Sequence, residues 1–120
     1  MNDNASAEHA PRRVYIKKPD VHWVAEIGNR LVRRSEMAVH DDVKERNLAR
    51  ARAALALAER IEAEMKPKPE TDFGVLALTP EDGLILWLAR SLETSHDGSI
   101  DLSDGQWQVE SHRTYLMGQD

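Results

Sequence analysis

Apolar positions recur every three or four residues over two long stretches of the chain, and this spacing predicts two amphipathic helices. In the first, Val21, Val24, Ile27, Gly28, Leu31, Val32, Ala38 and Val39 gather on one side, while His22, Glu26, Asn29, Arg30 and Arg33 gather on the other. Asp20 has the chemistry of its N-cap and the periodicity lasts to about Val39. The second helix is predicted from residue 41 or 42 to Met65, where the prolines of Lys66-Pro67-Lys68-Pro69 forbid continuation. Its large apolar groups, Val43, Leu48, Leu55, Leu57, Ile61 and Met65, spread over about half the circumference, which calls for two neighbours rather than one. Gly28 lies inside the apolar stripe of the first helix, at a cost of about 1 kcal/mol in helix propensity against alanine. A close crossing of the second helix at Ala54 or Ala58 would account for it.

After the prolines the pattern shortens. Residues 73–78 are apolar throughout and read equally as strand or packed loop. Thr79-Pro80-Glu81-Asp82 has the residues of a helix start, and the third helix it opens is apolar on nearly every side from Leu84 to Leu88, so it should be deeply buried. In residues 100–109, Asp104-Gly105 reads as a two-residue turn, with Ile100, Leu102, Trp107 and Val109 on one face of a hairpin. Residues 13–17 alternate as a short strand that could join it, and Tyr115, Leu116 and Met117 form a possible final anchor. The predicted fold class is therefore α+β: an antiparallel helical pair, a short buried third helix and a C-terminal β-hairpin, extended to three strands if residues 13–17 pair with it. No internal sequence repeat is evident.

At 120 residues the chain suits one globular domain over residues 12–120, preceded by a polar, flexible tail over residues 1–11. The absence of cysteine removes disulfides, thiol nucleophiles and Cys-ligated metals from consideration. No apolar run approaches the roughly 20 residues of a membrane span, so the expectation is a cytoplasmic protein with no membrane partner.

Charge is unevenly distributed beneath a net of −5. Residues 1–40 carry seven Lys and Arg against five Asp and Glu, whereas residues 67–120 carry three against ten. A basic front is followed by an acidic back. The carboxylate and histidine pairs His22/Glu26 and Glu36/His40 have metal-ligand spacing, but they fall on solvent faces, and neither metal nor cofactor is expected. There is no nucleophile elbow, phosphate-binding glycine loop or apolar carboxylate pair, so an enzyme is not expected either.

These features predict a small non-catalytic protein-binding module, a regulatory, adaptor or inhibitor protein, acting on a protein partner or as a homo-oligomer. Its expected contact surface is the edge of the second helix: Leu48 and Leu55 at the centre, Arg52 and Glu59 at the rim. The alternative is a nucleic-acid-binding regulator. Three helices followed by a hairpin are similar to the winged-helix architecture. In that setting the third helix offers only Arg90, and the wing would present Asp101, Asp104 and Glu110 to phosphates. Nucleic acid would therefore meet the basic front instead: Arg12, Arg13, Lys17, Lys18, Arg30, Arg33 and Arg34, with Tyr15 and Trp23 available for stacking.

Overall fold

The computed structural model describes residues 11–68 and 70–113; the tail up to residue 10 and the anchor expected at Tyr115 to Met117 lie outside them. In chain order the elements are β1 (Arg12–Lys17), α1 (Lys18–Met37), α2 (Asp41–Met65), β2 (Phe73–Leu78), α3 (Pro80–Glu93) and α4 (Asp104–Ser111). Strand, helix, helix thus occurs twice. The two strands pair with each other, antiparallel, from Arg12 opposite Leu78 to Lys17 opposite Phe73.

Each strand runs straight into a helix because a proline and an aspartate stand at its end. At α1, the backbone N–H of Lys17 donates to Asp20 Oδ2 at 2.7 Å. Asp20 is therefore the N3 partner of the cap, and the helix begins two residues before the expected N-cap. At α3 the expected start is observed: Thr79 Oγ1 accepts from the Asp82 N–H, and Asp82 Oδ2 accepts from the Thr79 N–H, both at 3.2 Å. With Pro80 at N1 this is a reciprocal capping box.

The core forms where one face of the ribbon meets the helices. Val14, Ile16 and Leu78 point inward and are buried with Val24, Ile27 and Leu31 of α1, with Ala54, Leu57 and Ile61 of α2, and with Ile85, Ala89 and Leu92 of α3. Within α3 only Trp87 among the large apolar residues is substantially exposed, in line with its expected burial. The helical pair is α1 against α2, and Gly28 lies at their contact. A Cβ there would sit 2.7 Å from Leu55 Cγ and 3.4 Å from the Ala51 carbonyl oxygen. The close approach is thus made by Leu55, next to the expected Ala54, and by Ala51, one turn before it.

The expected C-terminal hairpin does not form, and residues 13–17 pair with 73–78 instead. The Asp104-Gly105 pair opens a helix rather than closing a turn, as one local and one long-range set of contacts and the Gly105 backbone show. Ser103 Oγ accepts from the Gln106 N–H at 3.3 Å, capping α4. Asp104, at its first turn, accepts from Arg46 at 2.7 Å and from Arg50 at 2.6 Å, which ties α4 to α2. Gly105 does not adopt the positive φ that a type I′ turn needs, since Gly98 alone does so among the described residues. Trp107, one turn further on, is buried with Arg50 stacked on its ring at 4.6 Å. The wing of the winged-helix alternative is thereby absent from residues 100–109, and the connection before β2 is turned at Lys68 and Thr71. No helix among the described residues is long and apolar enough to cross a membrane.

Two outcomes follow from this packing. Gly28→Leu should lower unfolding free energy by about 1–3 kcal/mol through overpacking, despite its better helix propensity; a raised Tm in thermal denaturation would contradict the crossing. Asp104 is the second case. Hydrogen bonds from Arg46, and then from Arg50, outweigh its desolvation and hold its carboxyl at about 2, below its ordinary 3.8. A depressed folded-state value means that the linkage is fully present above about pH 4 and is lost as pH falls through about 2. Urea unfolding across that window should therefore show the wild type losing more stability than Asp104→Asn, and parallel losses would disprove the linkage.

Candidate binding surface

Because strand side chains alternate, the ribbon that buries Val14, Ile16 and Leu78 turns another set outward. Those residues are Arg13, Tyr15 and Lys17 on β1, lying opposite Ala77, Val75 and Phe73 on β2. Tyr15 is 61% exposed and Phe73 57%, the two rings meeting edge to face with centroids 6.0 Å apart. Arg13 and Lys17 are exposed, as is Ala77, while Val75 is half-buried. One half of the face is basic and aromatic; the other is apolar.

Two arginines fix the ribbon against the helices from its outer edges. Arg90 of α3 donates from Nε and Nη2 to the two oxygens of Asp20, at 3.2 and 2.9 Å, and from Nη2 to the Tyr15 carbonyl at 3.0 Å. Arg60 of α2 donates to Asp82 Oδ2 at 3.0 Å and to the Ala77 carbonyl at 2.6 Å. Each arginine thus joins a strand carbonyl to the aspartate that caps the following helix. The carbonyls so engaged belong to the edges where a further strand would pair, which leaves the outward face as the open surface of the ribbon.

The seven basic residues of the nucleic-acid alternative separate into two groups. Arg12, Arg13, Lys17 and Lys18 lie on or beside the ribbon, with Arg12 half-buried. Arg30, Arg33 and Arg34 lie on the last turns of α1, about 20–30 Å along the helix from Lys17 at 1.5 Å per residue. There Glu26 accepts from Arg30 at 2.9 Å and meets Arg33 at 3.6 Å; the Arg30 hydrogen bond, followed by the charges of Arg30 and Arg33, draws its carboxyl below the usual range. Of the stacking candidates, Tyr15 is open, whereas Trp23 is half-buried against the core. On α2, Leu48 and Leu55 are both half-buried and Arg52 and Glu59 exposed, and Leu55 is the residue that covers Gly28.

Phe73, Val75 and Ala77 escaped the sequence reading because residues 73–78 are apolar on both faces, so alternation carries no signal there. Their outward set becomes visible only once the pairing with β1 is known. No group of three or more His, Asp or Glu side chains that could hold a metal occurs among the described residues. No protein-family model matches the chain, and neither the curated proteins nor the solved structures contain a match to it.

The Arg90 bridge makes a stability prediction. Asp20 is 2% exposed, so Arg90→Ala would leave its carboxylate buried without its cationic partner, at a cost of about 2–4 kcal/mol. Arg60→Ala should cost less, since Asp82 keeps its reciprocal cap with Thr79 and is less deeply buried. Equal losses in chemical denaturation would refute the ranking.

Proposed function

We propose that this protein is a non-catalytic binding protein whose ribbon face engages nucleic acid, by insertion into the major groove of duplex DNA. The observation that carries the reading is the outward set Arg13, Tyr15 and Lys17 on a two-stranded antiparallel ribbon. The major groove, about 12 Å wide, admits such a ribbon face-on. Within it, Arg13 and Lys17 have the donors that guanine O6 and N7 accept, and Val75, Ala77 and the Phe73 ring provide apolar contact of the kind that thymine methyl groups take.

The acidic residues that argued against DNA at a wing have different work in the fold. Asp104 is engaged by Arg46 and Arg50, and Glu110 accepts from Gln106 at 2.6 Å within α4. The net charge of −5 weighs less than the local pattern, because at physiological salt a charge more than about 8 Å away is largely screened.

A second reading, as a protein-binding regulatory module, is favoured by the apolar half of the same face rather than by the Leu48 and Leu55 edge of α2, where both leucines are half-buried. Phe73, Val75 and Ala77 with Tyr15 would suit a protein partner docking flat on the ribbon. Strand addition is disfavoured as its mode, since Arg60 and Arg90 hold outward carbonyls at both edges.

Fluorescence anisotropy with a mixed-sequence DNA duplex separates the two. Affinity should fall as salt rises, and Arg13→Ala with Lys17→Ala should weaken binding about tenfold or more and flatten that dependence. Absence of binding, or binding indifferent to both substitutions, would count against DNA and leave the protein partner as the reading of this face.

A further inference from the structure

The basic residues at the far end of α1 form a site of their own. Arg30, Arg33 and Arg34 stand with Met37, Ile100 and Leu102 around an open hollow of about 310 Å³. A second hollow, of about 220 Å³, lies on the other side of Arg34 and Met37 and is walled by Ala38, Val43 and Asn47. Met37 is 81% exposed on the ridge between them, and Val39 just beyond the helix end is 87% exposed. A large unbranched thioether left in water between two hollows is suited to adapting around an incoming apolar side chain.

We infer that this double groove docks an acidic segment of a partner protein, one that alternates carboxylates with a large apolar residue. Charge complementarity selects the occupant. The guanidinium groups of Arg33, which is 61% exposed and meets Glu26 at 3.6 Å against the 2.9 Å of Arg30, and of Arg34 lie at the rim, where they can take bidentate carboxylates. Glu26 holds chiefly Arg30, and Asp101 feels the charge of Arg34 but accepts its hydrogen bonds from Ser103. Arg30 is further tied down by donating to the Gly98 carbonyl at 2.7 Å, so it shapes the wall while Arg33 and Arg34 supply reach.

The floor favours a peptide over a nucleic acid. It is aliphatic, made by Ile100 and Leu102 below the Met37 ridge, with no aromatic ring among the lining residues on which a base could stack. Independently, Asn47 in the wall of the second hollow is 3% exposed, and its Oδ1 is buried with no hydrogen bond. The second hollow thus sets one polar side chain beside the apolar Ala38 and Val43 in its wall. The groove is separate from the ribbon face, so it does not rest on the DNA reading.

The test uses a fluorescein-labelled peptide alternating Glu or Asp with Leu and Phe, and a second peptide in which Leu and Phe are replaced by Ser. The whole chain should bind the first measurably and the second at least tenfold more weakly. Arg34→Glu alone and Arg33→Glu with Arg34→Glu should each weaken the first peptide, the double change by tenfold or more, with an unchanged circular dichroism spectrum and cooperative unfolding. Arg13→Ala with Lys17→Ala should leave it unaffected. The proposal is overturned if the first peptide does not bind, if both peptides bind alike, or if the Arg33 and Arg34 changes have no effect. It is equally overturned if a DNA duplex displaces the peptide from wild type and from the ribbon variant alike, or if light scattering shows that those arginines instead hold two copies of the chain together.

Discussion

The architecture depends on how two strands are held at their junctions with the helices that follow them. A two-stranded ribbon is marginal on its own, and neither of these strands has a further partner among the described residues. Stability comes from ending each strand in a capped helix and fastening the cap carboxylate to a distant element by an arginine. Arg90 reaches from α3 to the start of α1, and Arg60 from α2 to the start of α3. A carboxylate as buried as Asp20 would be a liability without that partner, so the bridge and the burial have to occur together. Because the same guanidinium groups also take strand carbonyls, ribbon and helices behave as one packed unit, and one ribbon face is committed to the core.

That commitment determines what the other face can be. With Val14 and Ile16 inward, Arg13, Tyr15 and Lys17 must turn outward, and the antiparallel register sets them against Ala77, Val75 and Phe73. The basic front of the chain is then divided by the length of α1. Four cations stay with the ribbon and three are carried to the opposite end, where Ile100 and Leu102 complete a groove. The structure therefore presents two separate basic surfaces of different chemistry, which a single count of charges does not distinguish.

Long-range periodicity and the cap of α3 are legible from the residues, whereas Asp20 reads as the N-cap of α1 and is in fact its N3 partner. The Ala-rich run of α2 and the Thr79-Pro80-Glu81-Asp82 start were both read within a residue of where they occur. Gly28 was legible as a crossing point, since an unfavourable residue inside an apolar stripe needs a steric reason. What failed was the choice between two meanings of one short sequence. Ser103-Asp104-Gly105-Gln106 satisfies both a hairpin turn and a helix N-terminus, and the deciding contacts come from Arg46 and Arg50, more than fifty residues away. Strand pairing failed for a related reason. The partner of β1 is an apolar run without alternation, and only the matched junctions after both strands identify it.

The central claim is that the outward ribbon face is where a ligand meets this protein. Titration of isotope-labelled protein with a DNA duplex, followed through its backbone amide NMR signals, addresses it most directly. The account predicts that the largest shifts fall on Arg13, Tyr15 and Lys17 and on Phe73, Val75 and Ala77 across from them, with little change along α4. Shifts confined to α2 around Leu48 and Arg52, or spread evenly over the basic residues of both ends of α1, would contradict it.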